Sequence, residues 1–171
     1  FENGECVILY EDQKTYIHLE NNSEAQIIES SLTRTINIKY GNVFFYQAQL
    51  AYKDLYIFTL ASQINMSFGK LWLSSNLSGD DEIYILENEV KGYNDISKKR
   101  LNINSNQVLF STLDGFFESA KINKKDLPKF VLDYINKKNI IKEYEEISFK
   151  NLKNIEIRDW DLIPRYEFDE E

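Results

Sequence analysis

From the amino end, Cys6-Val7-Ile8-Leu9-Tyr10 is a short apolar run, Glu11-Asp12-Gln13-Lys14 is polar, and Thr15-Tyr16-Ile17-His18-Leu19 is apolar again. Two strands joined by a four-residue turn fit this order. Ser23-Glu24-Ala25-Gln26 has the form of a capping box, and Ile27, Ile28 and Leu32 behind it predict a short helical face. Thr35-Ile36-Asn37-Ile38-Lys39-Tyr40 alternates apolar and polar side chains, the pattern of a half-buried strand, and Gly41-Asn42 is expected to break it.

Residues 43–60 are the most apolar part of the chain, with polar Lys53-Asp54 between Val43–Tyr52 and Leu55–Leu60. Aromatic and β-branched density favours two long strands in a hairpin; a helix is the alternative, because Phe44, Ala48, Tyr52 and Tyr56 would share one helical face. Further strands are expected at Lys70–Leu73 and Glu82–Leu86, with a turn at Ser78-Gly79-Asp80-Asp81 between them. Glu89–Tyr93 is expected to return beside the second of these, and Leu101–Ile103 to pair with Val108–Phe110.

Ser111-Thr112-Leu113-Asp114 predicts a short helix with Phe116, Phe117 and Ala120 inward, weakened at Gly115. The clearest helix runs from about Asp126 to Lys138. Asp126 is its cap, Pro128 sits in the first turn, and Leu127, Phe130, Val131, Tyr134 and Ile135 recur at helical spacing. Ile147-Ser148-Phe149 and Ile155-Glu156-Ile157 suggest late strands. The fold expected from the pattern is a single α+β domain over 1–171, mostly antiparallel sheet with two or three helices.

A length of 171 residues with 43% apolar residues supports one ordered core. Cys6 is the single cysteine, so no intrachain disulfide is available. No apolar run is long enough to span a membrane and no secretory pattern opens the chain, so the expected compartment is the cytoplasm. The net charge of −8 argues against a nucleic-acid partner. Residues 1–33 sum to −6 and 156–171 to −5, leaving +3 for 34–155. Acidic ends on one face would attract a cationic protein and speed encounter.

Candidate chemistry is sparse. His18 is the only histidine and is expected on a strand, facing away from Ile17 and Leu19; Cys6 reads as a small apolar group rather than a nucleophile. Asp80, Asp81 and Glu82 gather three carboxylates at a turn but lack the spacing of a calcium loop. The segment Arg158-Asp159-Trp160-Asp161-Leu162-Ile163-Pro164-Arg165-Tyr166-Glu167 combines the residue types that dominate binding hot spots. Asp159 and Asp161 could also be read as the acid/base pair of a glycosidase. Lys98-Lys99-Arg100 and Lys121, Lys124 and Lys125 are small basic clusters that would suit a nucleic-acid groove on a sheet face, against the overall charge. Glycine-rich phosphate loops do not occur, and neither a cofactor nor a metal is implied.

In general character the chain is similar to the small acidic immunity proteins that neutralise bacterial toxins. That group is united by task rather than fold, so no residue carries over. The expected function is a non-enzymatic inhibitor or toxin-immunity protein that occludes a basic protein partner such as a cognate nuclease toxin. Its expected contact residues are Asp159, Trp160, Asp161, Arg165, Tyr166 and Glu167, together with Asp80, Asp81 and Glu82. The alternative is a self-associating adaptor or structural module, phage-borne, working through an exposed sheet edge; an unrecognised enzyme ranks third.

Overall fold

The computed structural model describes residues 4–10, 14–49, 51, 53–123, 125 and 127–136. Twelve strands run through them: β1 (Cys6–Leu9), β2 (Thr15–Leu19), β3 (Glu24–Glu29), β4 (Thr33–Gln47), β5 (Asp54–Phe58), β6 (Gln63–Met66), β7 (Gly69–Ser75), β8 (Asp81–Glu87), β9 (Val90–Tyr93), β10 (Arg100–Ile103), β11 (Gln107–Ser111) and β12 (Phe117–Lys121). The α-helix among the described residues is α1 (Lys129–Asn136). The described residues are therefore nearly all β, a nearly closed, barrel-like sheet. The expected α+β class with two or three helices is corrected accordingly.

The long strand β4 organises the sheet. Its first half pairs with β3 and, in parallel, with β5; its second half pairs with β2 and β7. One wall then runs β3-β4-β5-β6-β9-β10 and the other β1-β2-β4-β7-β8-β11-β12. Gly41, expected to end the strand, instead turns it from one wall into the other. Its φ is +114°, and a Cβ there would lie 2.5 Å from Ser23 Cα, so only glycine fits the corner. Ser23 Oγ secures the same corner by accepting from Asn42 N at 3.0 Å.

Gln47, at the far end of β4, clips down the crossover to β5. Its side-chain amide donates to the carbonyls of Lys53 (3.0 Å), Met66 (3.3 Å) and Ser67 (2.8 Å), and its oxygen accepts from Thr15 Oγ1 at 3.1 Å. Residues 43–47 and 55–58 are accordingly neither a hairpin nor a helix. They belong to strands whose link is a parallel pairing, Thr33–Asn37 beside Asp54–Phe58.

The interior follows the strand alternation. Ile36, Ile38, Val43 and Phe45 from β4 meet Leu55, Ile57, Ile64, Met66, Leu71, Leu73, Ile83, Ile85, Leu109 and Phe117 in one continuous core. The two walls come close at Gly92, where a Cβ would sit 3.1 Å from both Leu109 Cδ2 and Phe117 Cζ. The second face of the β2–β11 wall is buried as well. A cross-strand row of His18, Phe44, Trp72, Tyr84 and Val108 runs along it, with the Trp72 and Tyr84 rings 4.8 Å apart.

Two segments expected to be helices are strands. Ser23 does not cap a helix; its hydroxyl serves Asn42, and Glu24–Glu29 becomes the edge strand β3, where adjacent β-branched Ile27 and Ile28 are at ease. Thr112–Phe116 is a tight turn with Gly115 at φ +94°, which delivers Phe117–Lys121 to β11. Two expected partnerships also change. β9 pairs with β6 and β10 rather than β8, and β11 pairs with β8 and β12 rather than with residues 101–103. Helix α1 lies inside the 126–138 span, with Leu127 and Val131 buried. The late strands expected at 147–149 and 155–157 lie outside the described residues.

Candidate functional site

Four hairpin loops meet at one end of the barrel: those after β5, β7, β9 and β11. Each carries apolar side chains at its tip, where turns ordinarily place polar ones. Leu60 is 54% and Leu77 77% exposed, and Ile96, Leu113 and Phe116 are exposed beside them. Their proximity is fixed by the glycines between them. A Cβ on Gly79 would lie 2.5 Å from Leu113 Cδ1 and 3.4 Å from Leu60 Cβ, and one on Gly115 would lie 3.3 Å from Ile96 Cγ2.

Beneath the patch the loops are tied by buried polar groups. Asn94, fully buried, donates through Nδ2 to the carbonyls of Ala61 (3.0 Å) and Thr112 (3.1 Å) and to Ser111 Oγ (3.0 Å). Its Oδ1 accepts from the backbone of Ile96 (3.0 Å) and Ser97 (2.8 Å), closing the β9–β10 loop. Asn76 does the same for the β7–β8 loop, where its Oδ1 accepts from Ser78 N and Asp80 N. The apolar tips are thus held in place before any partner arrives, which lowers the entropic cost of binding.

The three consecutive acids Asp80, Asp81 and Glu82 part ways here because strand alternation begins at Asp81. Asp81 is only 2% exposed; its Oδ2 accepts from Thr59 Oγ1 and, at 2.7 Å, from Ser62 Oγ. Burial pushes its carboxyl above the usual aspartate range, against the opposing hydrogen bonds of Thr59 and Ser62. Asp81 is therefore a buried strut of the loop end. Asp80 stays exposed and accepts from Asn76 Nδ2 at 3.0 Å; Glu82 is exposed and accepts from Tyr84 Oη at 2.7 Å. Asp80 and Asp114 are exposed beside the apolar tips Leu77 and Leu113, whereas Asp95 is engaged by Gln63 Nε2 and by Lys98 of its own loop. The Thr112 hydroxyl holds the Asp114 carboxyl below its usual range.

The other expected contact residues, Asp159, Trp160, Asp161, Arg165, Tyr166 and Glu167, lie outside the described residues. His18 is buried in β2 with Nε2 3.3 Å from a Glu5 carboxylate oxygen, and burial holds its pKa down against that neighbour. Cys6 is half-buried, and burial pushes its thiol up, away from nucleophilic character. Lys98 and Lys99 are exposed in the β9–β10 loop and Arg100 opens β10, whereas Lys121 ends β12, so the basic clusters do not form one track. Among the described residues no group of three or more metal-ligating side chains is close enough to hold an ion. No helix among them is long and apolar enough to cross a membrane.

The loop-tip residues escaped sequence reasoning, although a signal existed. Leu77 and Ile96 each stand alone within polar, turn-forming stretches, Asn76-Leu77-Ser78-Gly79-Asp80 and Asn94-Asp95-Ile96-Ser97-Lys98.

The architecture defines a β-barrel-like module with a rigid, apolar loop end. No protein-family model and no curated protein matches the sequence. Among solved structures, the chain is similar to two crystal structures from Parabacteroides distasonis, each described as a "putative anti-sigma factor". One has 11% identity and a TM-score of 0.61 over 70% of this chain and 57% of that one. The other has 13% identity and a TM-score of 0.58 over 70% and 56%. The chain thus spans little more than half the length of its structural neighbours, and at this identity the likeness establishes the fold. These neighbours are described as anti-sigma factors and not as immunity proteins, so the expectation of a toxin-immunity protein is set aside.

Proposed function

We propose that this protein is a regulatory binding module that works by holding another protein against its loop end, without catalysis. The observation that carries the reading is the convergence of Leu60, Leu77, Ile96, Leu113 and Phe116 on one preorganised surface. An apolar centre inside a polar rim is the anatomy of a protein interface. Asp80 and Asp114 at the edge of the tips suit a partner with Lys or Arg beside an apolar spot, a narrower demand than the basic nuclease expected from total charge. The fold shared with a chain described as an anti-sigma factor supports a regulatory role of this kind.

Photo-crosslinking in the source cell tests the reading. A benzoylphenylalanine in place of Leu113 should trap one protein, and the same probe in place of Asn37, on a wall of the barrel, should not. Equal crosslinking from both positions would remove the loop end from the account.

A second reading, self-association through a sheet edge, is favoured by β3. Among the described residues it pairs only with β4, and it leaves Ile27 and Ile28 exposed. A concentration-independent monomer mass by light scattering would dispose of it.

A further inference from the structure

The β3–β10 wall presents an open outer face, unlike the buried outer face of the opposite wall. Across β5, β6, β9 and β10 that face holds a shallow groove of about 490 Å3. Cross-strand register places Tyr56, Asn65, Lys91 and Asn102 in one row, and Gln63, Tyr93 and Arg100 in the next. The residues between them, Ile64 and Gly92, are buried in the interior, so the two rows face outward together.

The composition of these rows is specific. Two tyrosine rings offer apolar faces at a polar surface; three carboxamides offer donors and acceptors side by side; Lys91 and Arg100 add positive charge. Arg100 stacks over Tyr93 with its guanidinium 5.3 Å from the ring centroid, an arrangement that holds both side chains flat along the groove. Asp95, at the groove's end, is already engaged: it accepts from Gln63 Nε2 at 2.9 Å and lies 3.7 Å from Lys98 Nζ. The groove is therefore net positive on a protein of charge −8.

From this face we infer that the protein carries a second binding site, for an acidic oligosaccharide. Tyrosine rings stack on the C–H faces of sugar rings, paired carboxamides match neighbouring hydroxyls, and the two cations match carboxylate or sulfate groups. With strands about 4.8 Å apart, the rows extend roughly 14 Å from β5 to β10, so a short oligosaccharide can lie across the strands. An acidic peptide fits less well, since extended peptides bind by adding main-chain hydrogen bonds to an edge, and of the groove's four strands only β10 ends the sheet, which leaves Tyr56 and Asn65 beyond such a peptide's reach. Single-stranded nucleic acid needs a longer basic track than Lys91 and Arg100 supply. The site is separate from the loop end and does not depend on its role.

Titration calorimetry of the full chain tests this with trigalacturonate and a heparin tetrasaccharide as acidic probes, and maltotriose, hexaglutamate and hexathymidylate as contrasts. At least one acidic sugar should bind with sub-millimolar affinity, and which one does so separates carboxylate from sulfate recognition. Tyr93→Ala and Lys91→Ala should each weaken that binding at least tenfold while the melting temperature is kept. Two outcomes would overturn the inference: neither acidic sugar binds, or hexaglutamate, hexathymidylate or maltotriose binds as tightly. Retained sugar affinity in both variants would equally remove the site from this groove.

Discussion

Asn94 Nδ2 lies 3.0 Å from the carbonyl oxygen of Ala61, 33 residues earlier in the chain, and this bond joins the β9–β10 loop to the β5–β6 loop. The same amide reaches Ser111 and Thr112, so one side chain spans three of the four loops that present the apolar tips.

Asn94→Ala should therefore cost far more than an average substitution. It takes the acceptor from the Ile96 and Ser97 N–H groups and one donor each from the Ala61 and Thr112 carbonyls, which keep Ser111 Oγ at 3.3 Å and Gly115 N at 3.1 Å; each buried group left unpaired costs about 1–3 kcal/mol, partly offset by water entry. A loss of about 3 kcal/mol in urea unfolding is expected, and a loss below about 1 kcal/mol would mean the loops are held by other means.

Asp81 gives the loop end a pH dependence with a definite sign. Its folded pKa is raised by burial above the unfolded value of about 3.9, so the folded state holds the proton more tightly. This stabilising contribution is complete below the unfolded pKa and is lost as pH rises through the folded pKa. Asp81→Asn keeps an acceptor for Thr59 and Ser62 and removes the titration. Relative to the parent protein, the variant should thus gain stability steadily from pH 4 upward, as read from urea midpoints. A constant difference across that range would show that folding does not raise the Asp81 pKa.

Gly41→Ala should destabilise by about 2 kcal/mol or more, because the new Cβ meets the Ser23 backbone at a φ that L-residues avoid. Thermal melting checks this. An unchanged melting temperature would mean that β4 can turn between the walls without this corner.

Leu77→Ser is expected to leave stability within about 0.5 kcal/mol, since the side chain is exposed, while weakening partner binding at least tenfold. Melting and affinity measured on the same preparation separate the two effects. A drop in melting temperature would mean that Leu77 packs into the fold.

Much of the strand content was legible in the sequence. The first half of β4 follows the period-two pattern, and Cys6–Leu9, Thr15–Leu19, β7 and β8 stand out as short apolar or aromatic runs. What misled was local chemistry put to other use. Ser23 resembles a helix cap but bonds a distant backbone, and Thr112 to Gly115 resembles a helix start but makes a turn. Strand partnership was not legible, because the parallel β4–β5 pairing and the split of β4 between two walls depend on long-range contacts such as those of Gln47. In the loop end, the sequence pointed to Asp80, Asp81 and Glu82 by charge alone. It could not tell that Asp81 begins a strand facing inward, nor that isolated apolar residues from four loops converge.

The central claim, that the loop end holds a protein, is tested most directly by quantitative affinity purification from the source cell. Three baits are compared: the parent chain, Leu60→Ser with Leu113→Ser, and Lys91→Ala with Tyr93→Ala, each with the parent melting temperature. The account predicts one protein that is depleted at least tenfold by the loop variant and retained by the groove variant. A partner retained in full by the loop variant would contradict it.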